Sequence, residues 1–182
     1  MRTKTLFLDT EFTSLDMQSQ LLSLALYENE KSSFYVEVLD YDEGVINRWV
    51  QENVISKFRL NHSKSNSISK RYENALPYRE VREKLTVWLD SNYSNTKLTI
   101  CSDNYTWDWL HLCEIYGGAM ALPHNIHYIP LDLATILYTN KMDVDLSRIE
   151  LAKKISGKED LSNHNAMDDA VAISIIFNDL CL

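Results

Sequence analysis

The chain has 182 residues, of which 45 % are hydrophobic, and 26 acidic against 18 basic residues give a formal net charge of −8. This length and only four glycines and three prolines predict one domain, residues 1–182, with a substantial core rather than a linker-rich protein. Three cysteines without CxxC spacing indicate neither a disulfide framework nor a zinc site, and no apolar segment is long enough for a signal peptide or a membrane helix. We therefore expect a cytoplasmic protein with reduced thiols and no membrane contact.

Three β-strands are predicted near the amino terminus, at residues 4–10, 20–27 and 33–39. Their short connections indicate a meander, and the mixture of β-branched, aromatic and charged residues in SFYVEVL suits an antiparallel sheet.

Two carboxylates end the first strand, in Leu6-Phe7-Leu8-Asp9-Thr10-Glu11. Residues i and i+2 of a strand point to the same face, so Asp9 and Glu11 project together, roughly 6–7 Å apart, with Thr10 on the other side. Like charges this close repel unless a cation holds them or one takes up a proton, and Mg²⁺ or Mn²⁺ suits an all-oxygen site. The alternative is an acidic strand end in solvent.

Two helices and a polar window follow the meander. The first helix is predicted over residues 43–55, with Val45, Ile46, Trp49 and Val50 on one stripe. Pro77 begins the second, whose buried stripe is Val81, Leu85, Trp88 and Leu89. Between them, residues 57–72 contain no acid and five bases: Lys57, Arg59, Lys64, Lys70 and Arg71. This basic window either meets a phosphate backbone or is a solvated connection.

A fourth strand, residues 96–101, is followed by two acids that compete for a functional role. Asp103 lies at the strand end, where capping the turn explains it. Asp108 lies between Trp107 and Trp109 at the start of a helix, where the helix dipole would also favour it. A carboxylate between two indoles is poorly explained by solubility, and we prefer Asp108 to Asp103 as the functional acid.

The third helix ends at Gly117-Gly118, a fifth short strand is predicted at residues 125–129, and Asp132 caps the next helix. Further helices are predicted over residues 145–155 and 166–180. This alternation of strands and helices indicates an α/β fold with a mixed sheet.

The last helix opens with Ser162-Asn163-His164-Asn165-Ala166-Met167-Asp168-Asp169. Asn165 is a good N-cap, and Asp168 is expected to reach back to complete a capping box. Asp169 is rotated about 100° from Asp168 and faces the protein, so it needs a partner such as a metal ion. His164 precedes the cap, and its unperturbed pKa near 6.5 suits a general base.

These motifs, D-x-E on the first strand, an Asp after a central strand and H-x4-D at the final helix, together resemble the DEDDh exonucleases. This superfamily contains RNase T and the proofreading exonucleases of DNA polymerases and has an RNase H-like fold. The similarity covers nearly the whole chain and is greatest to small bacterial and phage 3′–5′ exoribonucleases. It implies a mixed five-stranded sheet flanked by helices.

The resemblance also implies a role for each site residue. Asp9, Glu11, Asp108 and Asp169 would bind two Mg²⁺ or Mn²⁺ ions, His164 would be the general base, and the products would be nucleoside 5′-monophosphates. The residues expected to bind substrate are Phe12, Thr13, Leu15, Asn104 and Trp107. Leu15 falls where the family has an apolar wedge against the terminal base, and Phe12 is the preferred base contact.

Two motifs depart from the family pattern. Residues 9–14 are DTEFTS where the family often has DTETTG, which changes the loop expected to grip the substrate. Residues 103–108 are DNYTWD where the family often has HNAxFD, so that Asp103 replaces the histidine.

The expected substrate is single-stranded nucleic acid, RNA rather than DNA. The negative net charge argues against such a partner, but two divalent cations would reduce it from −8 to −4 and concentrate positive charge at the site. Alternatives are a single-stranded DNA exonuclease, a phosphodiesterase for small nucleotides, and a non-catalytic RNA- or protein-binding module on the same fold. A homodimer is a further option.

Overall fold

The computed structural model describes residues 2–58 and 74–181. Within these residues the strands are β1 (Arg2–Phe12), β2 (Leu21–Asn29), β3 (Ser32–Val38), β4 (Ala75–Leu76), β5 (Thr96–Ser102) and β6 (Leu131–Asp132). The α-helices are α1 (Arg48–Asn53), α2 (Tyr78–Tyr93), α3 (Tyr105–Tyr116), α4 (Leu133–Thr139), α5 (Arg148–Ser156) and α6 (Ala166–Cys181).

The strands form one mixed sheet in the order β4-β3-β2-β1-β5-β6. β1 pairs antiparallel with β2 and parallel with β5, and β5 pairs parallel with β6. The carboxyl ends of β1, β5 and β6 therefore meet at one edge of the sheet, where ligand sites of open α/β sheets commonly lie.

Side-chain alternation along β1 supplies both hydrophobic cores. Leu6 and Leu8 pack in a core with residues of α2 and α3, including Leu85 and Leu112. Phe7 belongs to the core on the opposite face, formed with α4, α5 and α6, and its ring contacts Phe177 at 5.3 Å between centroids. Helices thus cover β1 from both faces, as its apolar sequence requires.

The predicted α/β class with a mixed sheet is confirmed, but the strand count is six rather than five. The segment 125–129 forms only an isolated bridge, between Leu98 and Ile126, and the strand begins later, at Leu131. β4 is a two-residue strand, and so is β6. Elements this short carry no sequence periodicity that would predict them.

The helix predicted over residues 43–55 is broken into three pieces. Glu43–Val45 and Ile55–Lys57 are 3₁₀ turns, and only Arg48–Asn53 is α-helical. The Asn47 side chain causes the break, because it accepts a hydrogen bond from the Val50 amide and begins a new helix at Arg48. The predicted buried stripe is therefore wrong in part: Val50 is buried, whereas Val45 and Trp49 are exposed.

The second and third helices agree with the sequence. Val81, Leu85 and Leu89 of α2 are fully buried, and α3 ends at Gly117 with a positive φ of 86°. Of the basic window 57–72, residues 59 onward lie outside the described residues, and Lys57 is the one base of the five that is described. No helix in the described part of the chain is long and apolar enough to cross a membrane.

The two faces of α2 provide a test of this packing. Leu85 is fully buried in the core and Val87, two residues later, is 58 % exposed. We expect Leu85→Ala to lower the free energy of unfolding by about 2–5 kcal/mol, because it leaves a cavity. The matched control Val87→Ala should change it by less than about 0.5 kcal/mol. Urea denaturation measures both, and equal losses would contradict the orientation of α2.

Candidate active site

Three carboxylates from two elements converge at the carboxyl end of β1. Asp9 and Glu11 of β1 and Asp169 of α6 each offer one oxygen, and these atoms all lie within 4.8 Å of one another. Asp9 and Glu11 project to the same face of the strand, as predicted from their spacing. An all-oxygen set of this size suits a hard divalent cation such as Mg²⁺ or Mn²⁺.

Small side chains bring Asp169 close to the sheet. Ala25 of β2 lies opposite Asp9 and packs against Ala166 and Ala170 of α6, and all three alanines are fully buried. The backbone amide of Asn165 donates a 3.0 Å hydrogen bond to Oδ2 of Asp169.

The predicted capping box has a different partner. Asn165 caps α6 through a long 3.4 Å bond from the Asp168 amide, but Asp169, not Asp168, reaches back to the Asn165 amide. Asp168 accepts a hydrogen bond from the Ser162 hydroxyl instead. The prediction assigned the bond to the Asn165 amide to Asp168 instead of Asp169, because these two residues are adjacent on the same helical turn.

Asp108 reaches the same site from the other face of the sheet. Its Oδ1 accepts hydrogen bonds from the Thr10 amide (3.1 Å) and the Thr10 hydroxyl (2.7 Å), because Thr10 points away from Asp9 and Glu11 and toward α3. Oδ2 of Asp108 is buried and has no hydrogen-bond partner among the described residues. A buried carboxylate oxygen without a donor is costly, and a bound cation would offset that cost. Asp108 is nevertheless outside the group of three within 4.8 Å.

Asp103 is explained by an ion pair. Nε of Arg148 donates to its Oδ1 at 2.8 Å, and the other guanidinium nitrogens donate to the carbonyls of Leu146 and Val144. This ion pair offsets part of the effect of burial, which still raises the pKa of Asp103, and it ties the end of β5 to the start of α5. Asp103 lies in the same cleft as Asp108, and the preference for Asp108 as the ligand stays a prediction from the sequence.

The carboxylates hold protons more strongly than free ones. Burial raises the pKa of Glu11 to about 8, with the charges of Asp169 and Asp108 adding to it. Burial also raises the pKa of Asp108 and of Asp169 to about 7, and that of Asp9 well above its usual range. Divalent cations would reverse this effect, since they favour the charged form of each group.

His164 lies beside the carboxylates in a strained backbone conformation. Its φ is 59°, a region that residues other than glycine rarely adopt, and such strain is often found at functional sites. The edge of its ring contacts Trp49, with the centroids 4.9 Å apart. Partial burial and the nearby charge of Lys57 lower the pKa of His164, which keeps the imidazole neutral and able to accept a proton near pH 7.

A cleft of about 320 Å³ connects these groups. All five predicted catalytic residues line it: Asp9, Glu11, Asp108, His164 and Asp169. Of the predicted substrate contacts, Phe12, Leu15 and Asn104 also line it. Leu15 is 68 % exposed, so its side chain is available to a ligand.

Thr13 and Trp107 are not among the residues that line this cleft. Thr13 is buried, its amide donates to the Gln20 carbonyl, and its hydroxyl accepts from the Gln20 amide, which closes the turn that carries Leu15. Trp107 contacts Phe12, with the ring centroids 6.1 Å apart. Substrate contact by these two side chains stays a prediction from the sequence.

Trp49, Val54 and Asn163 also line the cleft, and none of them was predicted there from the sequence. Trp49 is the aromatic residue of the three. It was expected in a buried helix stripe, yet it is 54 % exposed and lines the cleft beside His164. The available signal was Asn47, a strong N-cap whose position changes which face of the helix is buried.

No protein-family model and no curated protein matches this chain. Among solved structures, the chain is similar to S. pombe Pop2p in its Mg²⁺ and Mn²⁺ bound form, with a TM-score of 0.59 and 12 % sequence identity. The match covers 96 % of this chain and 81 % of Pop2p. The fold is RNase H-like, as the resemblance implied. At this identity the similarity shows the fold alone.

The raised pKa values predict how the metal-free protein responds to pH. A carboxyl whose pKa is higher in the folded than in the unfolded state stabilises the fold below its unfolded pKa, and this stabilisation is lost as pH rises through the folded value. For Asp169 the loss occurs between about pH 4 and the folded pKa of about 7. In metal-free buffer at pH 8, Asp169→Asn should therefore increase the free energy of unfolding by about 1–3 kcal/mol.

At pH 4, where the carboxyl is largely protonated in the folded state and the loss has only begun, the same substitution should have little effect, and at pH 8 added Mn²⁺ should stabilise the wild type more than the variant. Asp179→Asn is the matched control, because Asp179 is exposed at the far end of α6. Thermal denaturation measures these differences. Destabilisation by Asp169→Asn at pH 8 without metal would contradict the electrostatic description.

The backbone of His164 gives a second prediction. Glycine tolerates a positive φ and alanine does not, so His164→Gly should be more stable than His164→Ala by about 0.5–1 kcal/mol. Ser162, whose φ is not positive, is the control, and there the order should reverse because glycine loses more entropy on folding. Urea denaturation measures the free energy of unfolding of the glycine and alanine variants at both positions. If the same residue were the more stable one at both positions, the result would argue against strain at His164.

Proposed function

We propose that residues 1–182 form one exonuclease domain that hydrolyses single-stranded RNA from its 3′ end with two Mg²⁺ or Mn²⁺ ions and releases nucleoside 5′-monophosphates. The observation that carries the proposal is the convergence of Asp9, Glu11 and Asp169 within 4.8 Å, in a cleft that also contains His164. The motif order that resembles DEDDh exonucleases supports it. The fold shared with Pop2p, which was solved with Mg²⁺ and Mn²⁺ bound, supports it as well.

The donor set fits divalent cations. Asp9, Glu11 and Asp169 would hold them on one side, and the unpartnered Oδ2 of Asp108 would approach from the other. When bound, such ions stabilise the attacking and leaving oxygens of an in-line phosphodiester displacement. Their charge would also offset the mutual repulsion of the carboxylates and attract the phosphate backbone.

His164 would act as the general base. Its lowered pKa keeps the ring neutral, so it can accept the proton of the attacking water. Its place in the cleft beside Trp49 leaves it able to meet a substrate directly.

Apolar side chains around the cleft suit an unpaired base. Leu15 and Trp49 are exposed, and the ring of Phe12 contacts Trp107 and His111, the latter at 5.2 Å between ring centroids. Stacking of a base on an aromatic ring contributes about 1–3 kcal/mol and requires a base that is free of its duplex. These contacts favour a single strand. The preference for RNA comes from the resemblance to exoribonucleases.

The test uses a 5′-labelled single-stranded oligoribonucleotide, the matched DNA, and an RNA with a blocked 3′ end. With Mn²⁺ the wild type should shorten the free RNA stepwise, EDTA should stop the reaction, and the blocked RNA should stay intact. Asp9→Asn should lower kcat/KM by at least about 10³-fold. His164→Ala should lower it by about 10²–10⁴-fold.

Asp90→Asn is the matched control, since Asp90 is exposed on α2 away from the cleft, and it should retain wild-type activity. Calorimetry must show that Mn²⁺ binds. Intact RNA in the presence of bound Mn²⁺ would refute the exonuclease, and RNA binding without turnover would indicate the non-catalytic module. Faster cleavage of DNA than of RNA would indicate a single-stranded DNA exonuclease instead.

Location in the cytoplasm stays a prediction from the sequence.

A further inference from the structure

Two hydrogen bonds in opposite directions join Lys57 to the loop that carries His164. Nζ of Lys57 donates to the Asn163 carbonyl at 2.7 Å, and Nδ2 of Asn165 donates to the Lys57 carbonyl at 3.1 Å. The two bonds bracket His164, one residue before it and one after it. Lys57 ends the second 3₁₀ turn and is 106 residues away from Asn163 along the chain.

The loop needs such support because His164 is strained. A φ of 59° is unfavourable for a residue with a side chain and persists only where surrounding contacts determine the backbone. Trp49, from the same segment as Lys57, adds a ring contact to the imidazole.

The other side of the loop is bound to a candidate metal ligand. The Asn165 amide donates to Asp169 at 3.0 Å, and Asn165 is itself buried. The loop thus lies between Lys57 and Asp169, and a shift of either partner would move His164 relative to the carboxylates.

An ordinary surface lysine would not make these contacts. Exposed ion pairs and hydrogen bonds contribute little, because long side chains lose entropy when they are held in one position. Lys57 is partly buried, and it donates to the carbonyl of one loop residue while its own carbonyl accepts from another. Its ammonium charge is also close enough to oppose the raised pKa values of Glu11 and Asp169.

We propose that Lys57 is a positioning residue that holds the His164 loop in the orientation needed for hydrolysis, a role that rests on the proposed exonuclease function. It acts through its ammonium, which donates to the Asn163 carbonyl, and through its own carbonyl, which accepts from the Asn165 side chain, and it does not itself touch the reacting atoms. The segment from Trp49 to Lys57 thereby supplies both a wall of the cleft and the support for its base.

The kinetic test compares Lys57→Met, which removes the donor, with Lys57→Arg, which keeps both donor and charge. Because a displacement of about 1 Å can cost 10²-fold in rate, Lys57→Met should lower kcat by about 10–100-fold with little change in KM. Lys57→Arg should recover most of the loss. Lys84→Met, the same change at an exposed position on α2, should match the wild type. A rise in KM with unchanged kcat would overturn the proposal and indicate that Lys57 contacts the substrate.

A double-substitution cycle tests whether Lys57 works through His164. If it does, Lys57→Met should reduce kcat no further in a His164→Ala background, because the group that it positions is gone. Fully multiplicative losses would overturn the proposal.

Amide hydrogen exchange separates this proposal from the exonuclease itself. Lys57→Met should speed exchange at the Asn165 amide by at least about tenfold, whereas Lys57→Arg and Lys84→Met should not. An unchanged exchange rate in Lys57→Met would refute the proposal that Lys57 holds the His164 loop, even if the enzyme were active. An inactive wild type would refute the exonuclease, and faster exchange in Lys57→Met would then still establish that Lys57 orders the loop.

Discussion

The alternation of side chains along β1 is the constraint on which the site depends. Even-numbered residues point to the face covered by α2 and α3, where Leu6 and Leu8 are buried and Thr10 holds Asp108. Odd-numbered residues point to the face covered by α6, where Phe7 is buried and Asp9 and Glu11 meet Asp169. One strand therefore both joins the two cores and draws acids from two helices to its carboxyl end.

This arrangement concentrates like charges in a partly buried place, which opposes folding. The raised pKa values of Glu11, Asp108 and Asp169 express that cost, since each group keeps a proton more readily than in water. Leucines, alanines and aromatic residues on both faces of β1 supply the stabilisation that offsets it. Asp103 adds to the repulsion at Asp9 and Asp108, although its ion pair with Arg148 offsets part of its own charge.

Strain at His164 and charge at the carboxylates are linked through one short loop. Asn165 caps α6, bonds Asp169 through its amide and bonds Lys57 through its side chain. His164, whose φ is positive, is therefore next to a residue that is hydrogen-bonded to both Asp169 and Lys57. If His164 is the general base that we propose, this arrangement would hold it in place before the substrate arrives, and such pre-organisation is a large part of catalysis.

The sequence alone determined the main elements and the candidate acids, because each depends on local chemistry. The alternation around Asp9 and Glu11 predicted their common face, the stripe of Val81, Leu85 and Leu89 predicted the buried side of α2, and Gly117 predicted the end of α3. The order of the motifs, through a family resemblance, predicted the fold class. Each of these motifs is short enough to be read within a few residues, and only their order extends over the whole chain.

Tertiary structure decided what depends on distant partners. Arg148 forms an ion pair with Asp103, which is 45 residues away along the chain. Asn47 begins a new helix, so that Trp49 contacts His164 instead of the core. Lys57 donates a hydrogen bond to a loop residue 106 positions away. The edge strands β4 and β6 exist only because β3 and β5 offer them open hydrogen-bonding edges. Such contacts leave no periodic trace in sequence, since their energy comes from geometry that forms only when the chain has folded.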